Sequence, residues 1–224
     1  MGHETGPFTS QSLAVLERLD TVIGRFRATA ERIAPGRAYV CVVSDHGFAA
    51  SHHKLNLLVP FRRAGLLTVN AKGKITAWKA APWVAGGSAA IVLKDPADDA
   101  TRAAVRSLLE RLARDPANGI DRILNAEELH SCGGFPEASF LVALKPGWKT
   151  DDELAGSLVK RDKPGGAHGY LPDLPEMRAS FFLVGPGVPV HRALGVMDMR
   201  DVAPTLADLL HLSLPSADGK NLLP

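Results

Sequence analysis

The segment AYVCVVSD, Ala38 to Asp45, is apolar and β-rich, without the polar alternation of a strand that has one wet face. Such a run suits a strand buried on both faces, as in the middle of a parallel sheet. Helical patterns stand on either side of it. From Thr9 to Ile33, apolar residues recur at Leu13, Leu16, Leu19, Val22 (or Ile23), Phe26, Ala30 and Ile33. Pro7 precedes that stretch and Pro35-Gly36 follows it, which predicts one long amphipathic helix. DPADDATRAAVRSLLERLARD predicts a second helix, acidic in its first turn and Arg-rich at its end. DVAPTLADLLHL predicts a third, capped by Asp201, with Pro204 confining regular bonding to the residues beyond the first turn.

Further strands are expected at SAAIVLK (Ser88 to Lys94), SFLVALK (Ser139 to Lys145) and SFFLVGPG (Ser180 to Gly187). HKLNLLVPFRRAGLL reads as a short helix broken at Pro60, and LTVNAKGKITAW as a hairpin turning at Lys72-Gly73. Strands alternating with helices give the α/β class, with a mostly parallel sheet between helices. The hairpin after Asn56 and the Gly-rich loops near Gly133 and Gly165 read as a small insertion at one sheet edge. There is no internal repeat and no low-complexity linker, so residues 1–224 are expected to form part of one domain. The chain opens on a helix and a central-looking strand, as though the first strands of its sheet lay elsewhere.

Composition excludes more than it selects. With 224 residues, 46% hydrophobic and 22% charged, the chain can bury one sizeable core, or a core with a small lobe. Its formal net charge is +2, and Lys and Arg are scattered among acids, so no nucleic-acid footprint is visible. No apolar run is long enough to span a bilayer, and MGHETGPFTS lacks the basic-then-apolar order of a signal peptide. Cys41 in an apolar run and Cys132 in HSCGGF make neither a disulfide framework nor a zinc knuckle.

The chemistry gathers where the first strand ends. Asp45 and His46 follow it directly, and the carboxyl ends of strands form the ligand crevice in open parallel sheets. A carboxylate and an imidazole are ligands that zinc accepts, and Gly47 allows the backbone to turn at once. His168 lies between glycines in GGAHGYLPDLPEMRASFFLVGPGV, with Glu176 and Arg178 spaced as a charge pair to brace the loop. His3 sits in GHETGP, before the long helix. Taken singly, these residues also fit blander descriptions: a loop aspartate capping a turn beside an exposed histidine, a mobile loop histidine, and a frayed terminus.

Together, and in order, the segments resemble the nucleotide pyrophosphatase/phosphodiesterase branch of the alkaline phosphatase superfamily. GHETGP is similar to the end of that family's D-x-x-x-H-x-x-G-P segment, VVSDHGF to its S-D-H-G segment, and HGYLPDLPEMRA…GPG to its third motif. MRDVAPTLADLLHL resembles the superfamily's late structural helix. The resemblance runs from His3 to Leu212. It implies a three-layer alkaline-phosphatase-like fold and a small-molecule phosphate ester substrate. It also implies two Zn2+ ions, one held by His3 and His168, the other by Asp45 and His46. Such a pair, about 3.5–4 Å apart, supports in-line phosphoryl transfer, in which placement and electrostatics do most of the work.

The resemblance also implies residues that the sequence does not contain. The family's aspartate four positions before the first histidine, a further zinc-binding aspartate and the Thr or Ser nucleophile have no counterpart from Met1 onward. Ser44 and Ser51 do not take the nucleophile's place, so no residue is assigned to it. The chain therefore reads as the C-terminal half of such an enzyme, incomplete at its N-terminal side and weakly active or inactive alone. Other readings stay open: a non-catalytic fragment that binds metal weakly or associates through an uncovered sheet edge, or a phosphomutase or sulfatase of the same superfamily. Family members are commonly periplasmic or secreted. His52 and His53 are read as adjacent surface histidines before a helix, and His130 beside Cys132 as no metal site. Trp78, Trp83 and Phe61 are read as packing of the hairpin or insertion.

Overall fold

Local sequence accounts for most of the elements. The structure, a computed structural model, describes residues 1–223. A single helical turn, α1 (Gly2–Thr5), ends at Gly6 and leads into the long helix α2 (Ser10–Ile33). β1 (Val40–Val43) is shorter than its apolar run, and β2 (Ala49–Leu55) follows the Asp45-His46 bend. In α3 (Leu58–Arg63), Pro60 sits in the first turn, where its missing N–H has no intrahelical partner to lose, so the helix is not broken there. β3 (Leu67–Val69) and β4 (Ile75–Trp78) form the expected hairpin. Gly73 takes φ 72° in its turn, and the Asn70 carboxamide oxygen accepts from Lys72 N at 2.9 Å and Lys74 N at 3.0 Å.

β5 (Ala80–Val84) and β6 (Ser88–Leu93) precede α4 (Asp99–Ala113), whose cap is Asp98, accepting from Thr101 N at 2.9 Å. β7 (Ile120–Asn125) feeds α5 (Ala126–Ser131) through a capping box of Asn125 and Glu128. β8 (Phe140–Leu144), β9 (Gly147–Thr150), β10 (Val159–Ala167), β11 (Phe181–Val184) and α6 (Val202–Leu209) complete the order.

The chain divides into two compact units, residues 1–21 with 44–180, and residues 22–43 with 181–224. In the first, one sheet has the order β5-β6-β8-β7 and a second the order β10-β2-β9, with the β3–β4 hairpin separate. The main core joins Val105, Leu108 and Leu109 of α4 to Ile91, Phe140 and Val142 of the four-stranded sheet and to Phe61 of α3. Each such side chain contributes about 1.5–3 kcal/mol of burial free energy. A smaller cluster of Ala49, Ala167, Tyr170 and Met177 ties the start of β2 to the end of β10 and to the loop beyond it.

In the second unit β1 pairs with β11. Asp201, 4% exposed, stands at the N-cap position of α6 as expected, but its side chain makes no capping bond to the helix; its carboxylate accepts from Lys220 N at 2.9 Å and so pins the C-terminal segment. Asp198 does the capping one turn earlier, accepting from Arg200 N at 2.9 Å.

The α/β class stands, but the strand directions differ from those expected. Among the described residues only β2–β9 is a parallel ladder; the others are antiparallel. An apolar run reports how its faces are covered and carries no information on direction, and neighbours joined by a connection as short as Ala85–Gly87 must be antiparallel. β1 is likewise not buried: Val43 is 50% exposed, and the strand has a neighbour on one side. The long helix forms with the expected bounds, yet none of its residues is buried, and Leu16 and Phe26 are 59% and 69% exposed. Gly165 lies within β10, opposite Ser51, and not in an inserted loop.

Tyr170 supplies a pH-dependent contribution beneath the second cluster. Its hydroxyl donates to Trp148 O at 2.6 Å, and burial pushes the phenol up to about 12. A raised folded-state pKa favours the neutral form, so this stability is complete below the ordinary value of about 10 and is lost as pH rises through about 12. Urea unfolding of the wild type and of Tyr170→Phe at several pH values checks this. Near neutrality the wild type is expected to be more stable by about 1 kcal/mol. Towards pH 12 that advantage should shrink by roughly 2 kcal/mol and reverse. A difference independent of pH would contradict it.

Candidate metal centre

The first unit brings all four candidate ligands into one cluster, from three separate segments. Asp45 and His46 occupy the bend between β1 and β2. That bend does not use a left-handed glycine: Gly47 is absent from the positive-φ residues. What Gly47 supplies is space, because a Cβ there would overlap the Glu176 carbonyl oxygen and come within 2.7 Å of Met177 C and 2.8 Å of Arg178 O. Gly47 N also donates to Met177 O at 2.9 Å. The third motif is thus held to the second by backbone. The expected Glu176–Arg178 ion pair does not form among the described residues; Glu176 lies in a 3-10 turn that ends at Arg178, and the backbone of this segment makes the contact with Gly47.

His168 follows directly on β10. Its carbonyl accepts from Gly87 N at 2.7 Å, and Ser88 Oγ donates to Gly169 O at 2.6 Å. Gly169, at φ 77°, lies so close to Ala85 O that a side chain there would overlap it. The glycines around His168 therefore admit the β5–β6 turn, which clamps the histidine from behind. His3 comes from α1, seated on β10 by Gly6 and Gly165, whose backbones approach closely.

The rings meet. His46 and His168 are stacked with centroids 3.9 Å apart and planes 12° from parallel, and His3 meets His168 edge-on at 5.3 Å. Burial, then the neighbouring His46 and His3, push the His168 imidazole below its ordinary value, while Asp45 pulls the other way. The neutral ring is the form that ligates metal.

Hydrogen bonding sets which nitrogen is free. His46 Nδ1 donates to Gly47 O at 2.7 Å, and His3 Nδ1 donates to Gly166 O at 3.2 Å, because a carbonyl can only accept. In each neutral ring Nε2 then carries the lone pair. A backbone carbonyl on the far nitrogen is how metal-binding histidines are usually oriented. His46 Nε2 lies 3.5 Å from Asp45 Oδ2, so two lone-pair acceptors face each other in the neutral ring. A cation relieves that opposition, and the donor set suits zinc. Among the described residues, no three His, Cys, Asp or Glu side chains converge closely enough to hold a metal ion by themselves.

Two further features involve none of these four residues. His52 and His53 are on β2, in a strand and not just before a helix, and His53 stacks on Trp148 at 4.6 Å. A cavity of about 680 Å³ in the second unit is lined by Arg192, Asp198, Arg200 and Lys220 among others, and by none of the four candidate ligands.

A residue that sequence reasoning passed over is Phe48, which touches His3 at a centroid distance of 5.0 Å. Its signal was the Gly-Gly doublet of β10, which leaves room for a ring.

Comparison with known proteins decides the kinship. The family model for type I phosphodiesterase/nucleotide pyrophosphatase matches residues 1–171, which hold all four candidate ligands. The chain belongs to that family. Solved structures agree on the fold. Murine ectonucleotide pyrophosphatase/phosphodiesterase 5, an inactive form in complex with AMP, superposes with a TM-score of 0.69 at 20% identity, over 98% of this chain and 53% of that one. The human counterpart gives 0.71 at 17% identity, with the same two coverages. This phosphodiesterase-family chain therefore has their alkaline-phosphatase-like fold and spans about half the length of the solved relatives it matches. No curated protein matches it.

Proposed function

We propose that the cluster is part of a two-zinc site for hydrolysis of phosphate diesters or pyrophosphates, with His3 and His168 serving one metal and Asp45 and His46 the other. The observation that carries this reading is the convergence of the four side chains from three separate segments, with Nε2 of His3 and of His46 left free and Asp45 facing the latter. The residues fit the metal, and bound zinc would offset phosphoryl charge and acidify an oxygen nucleophile. The chain's own part is placement. Gly47 O and Gly166 O fix the tautomers of His46 and His3, and the β5–β6 turn holds His168. The family match favours a phosphodiester or pyrophosphate substrate over the phosphomutase and sulfatase readings.

The proposal gives each metal two residues of this chain, where catalytic zinc takes three or more protein ligands. The 224-residue polypeptide by itself is therefore expected to bind zinc weakly and to hydrolyse a bis-nitrophenyl phosphodiester slowly or not at all. Elemental analysis after gel filtration, zinc titration and that hydrolysis assay check this. His168→Ala and Asp45→Asn should each lower zinc affinity further. Two tightly held zinc ions with substantial turnover would overturn the division of ligands; affinity unchanged in both variants would overturn the site.

A further inference from the structure

We propose that Phe48 is a positioning residue that seats His3 against His168; this rests on reading the four clustered residues as metal ligands. Of the four, His3 is the one with the least support from its own element. α1 is a single turn of four residues, and its residues Gly2, His3 and Glu4 are not buried. Isolated helices of that length do not persist in water. Something outside α1 must hold His3 in place.

Phe48 stands where such a tie is needed. It lies two residues beyond His46, at the entry to β2, and its ring reaches under α1. A Cβ built on Gly2 would be 3.2 Å from Phe48 Cε1, and one built on Gly166 would overlap Cε1 and lie 2.8 Å from Cζ. The ring thus fills the gap between α1 and β10 that the two glycines leave. It meets His3 edge-on, with centroids 5.0 Å apart and planes at 81°, a favoured aromatic geometry. The same ring lies 6.3 Å from the centroid of His168. It therefore links the segment bearing Asp45 and His46 to both histidines assigned to the other metal. The His3–Gly166 hydrogen bond aims the imidazole; the Phe48 ring keeps α1 down so that this bond can form.

The test uses Co2+ as a paramagnetic probe on the full chain with isotope-labelled histidines, followed by NMR. In the wild type, added Co2+ should shift and broaden the ring signals of His3, His46 and His168. In Phe48→Ala the response at His46 should persist, while that at His3 should require about tenfold more Co2+ or more. Phe48→Leu keeps most of the apolar volume and should fall between; it is read in the same way if the alanine variant does not give a folded spectrum. Phe48→Tyr, which keeps the ring, should restore the wild-type response. If His3 responds as in the wild type in the alanine or leucine variant, the Phe48 inference falls while the metal reading stands. If no histidine of the wild type responds, the metal reading falls and the Phe48 inference with it.

Discussion

Replacing Gly47 by alanine is expected to cost about 1–3 kcal/mol of stability and to loosen the cluster of candidate ligands. The new Cβ would overlap Glu176 O and stand 2.7 Å and 2.8 Å from Met177 C and Arg178 O. These are backbone atoms of a 3-10 turn, which cannot swing aside as a flexible side-chain tip can. Either the turn moves away, breaking the bond from Gly47 N to Met177 O, or the Asp45-His46 bend moves instead. Both routes disturb His46, because its Nδ1 donates to the carbonyl of this same glycine. Urea unfolding gives the stability change, and zinc titration its effect on the site. Gly24→Ala is the matched control. It lies inside α2, where a built Cβ meets nothing within 4 Å beyond its chain neighbours and the helix's own backbone, so alanine should stabilise by roughly 0.5–1 kcal/mol. The prediction fails if both substitutions shift stability in the same direction.

The motifs that carry the candidate ligands were legible in the sequence, whereas their mutual support was not. S-D-H-G and the third motif can be found by inspection, but nothing in a one-dimensional string says that Gly47 touches Glu176 through backbone alone. The same limit explains β2 and β10. β2 reads AASHHKL, and its buried residues Ala49, Ser51 and Leu55 do alternate, but alanine and serine give little hydrophobic contrast. β10 reads VKRDKPGGA, a sequence rich in charge, proline and glycine that has no strand signal. It is a strand because β2 pairs with it and because Lys160 and Asp162 are matched by opposite charges. Lys160 lies 3.1 Å from buried Asp151, and Asp162 lies 3.0 Å from Lys149. Elements whose reasons are local were readable: α4 through its acidic first turn and Arg-rich end, and the β3–β4 hairpin through its turn at Lys72-Gly73. Apolar β1 misled in the opposite direction, since an apolar run states what a strand can bury but not what is present to cover it.

Truncating Phe61 to alanine is expected to have the largest effect on stability, about 3–5 kcal/mol, and little effect on the chemistry of the cluster. Phe61 has no exposed surface and sits in the main core with Leu55, Leu57 and the α4 leucines. It lines none of the contacts made by His3, Asp45, His46 or His168. A loss of that size is a large part of the roughly 5–15 kcal/mol typical of a folded domain. The three aromatics grouped together in the sequence therefore part company. Phe61 is core, Trp78 packs partly buried against the same core, and Trp83 is 65% exposed beside Phe135, with ring centroids 6.1 Å apart. Trp83→Ala should change stability by no more than about 0.5 kcal/mol, as surface substitutions usually do. Thermal or urea unfolding of the two variants checks the contrast, with zinc titration run below the Phe61→Ala transition. Zinc affinity as in the wild type, in a protein that unfolds much more easily, would show that the core sets how often the site exists and the glycine contacts set its shape. A Phe61→Ala protein of wild-type stability would mean that the packing around α3 is not what holds the first unit together.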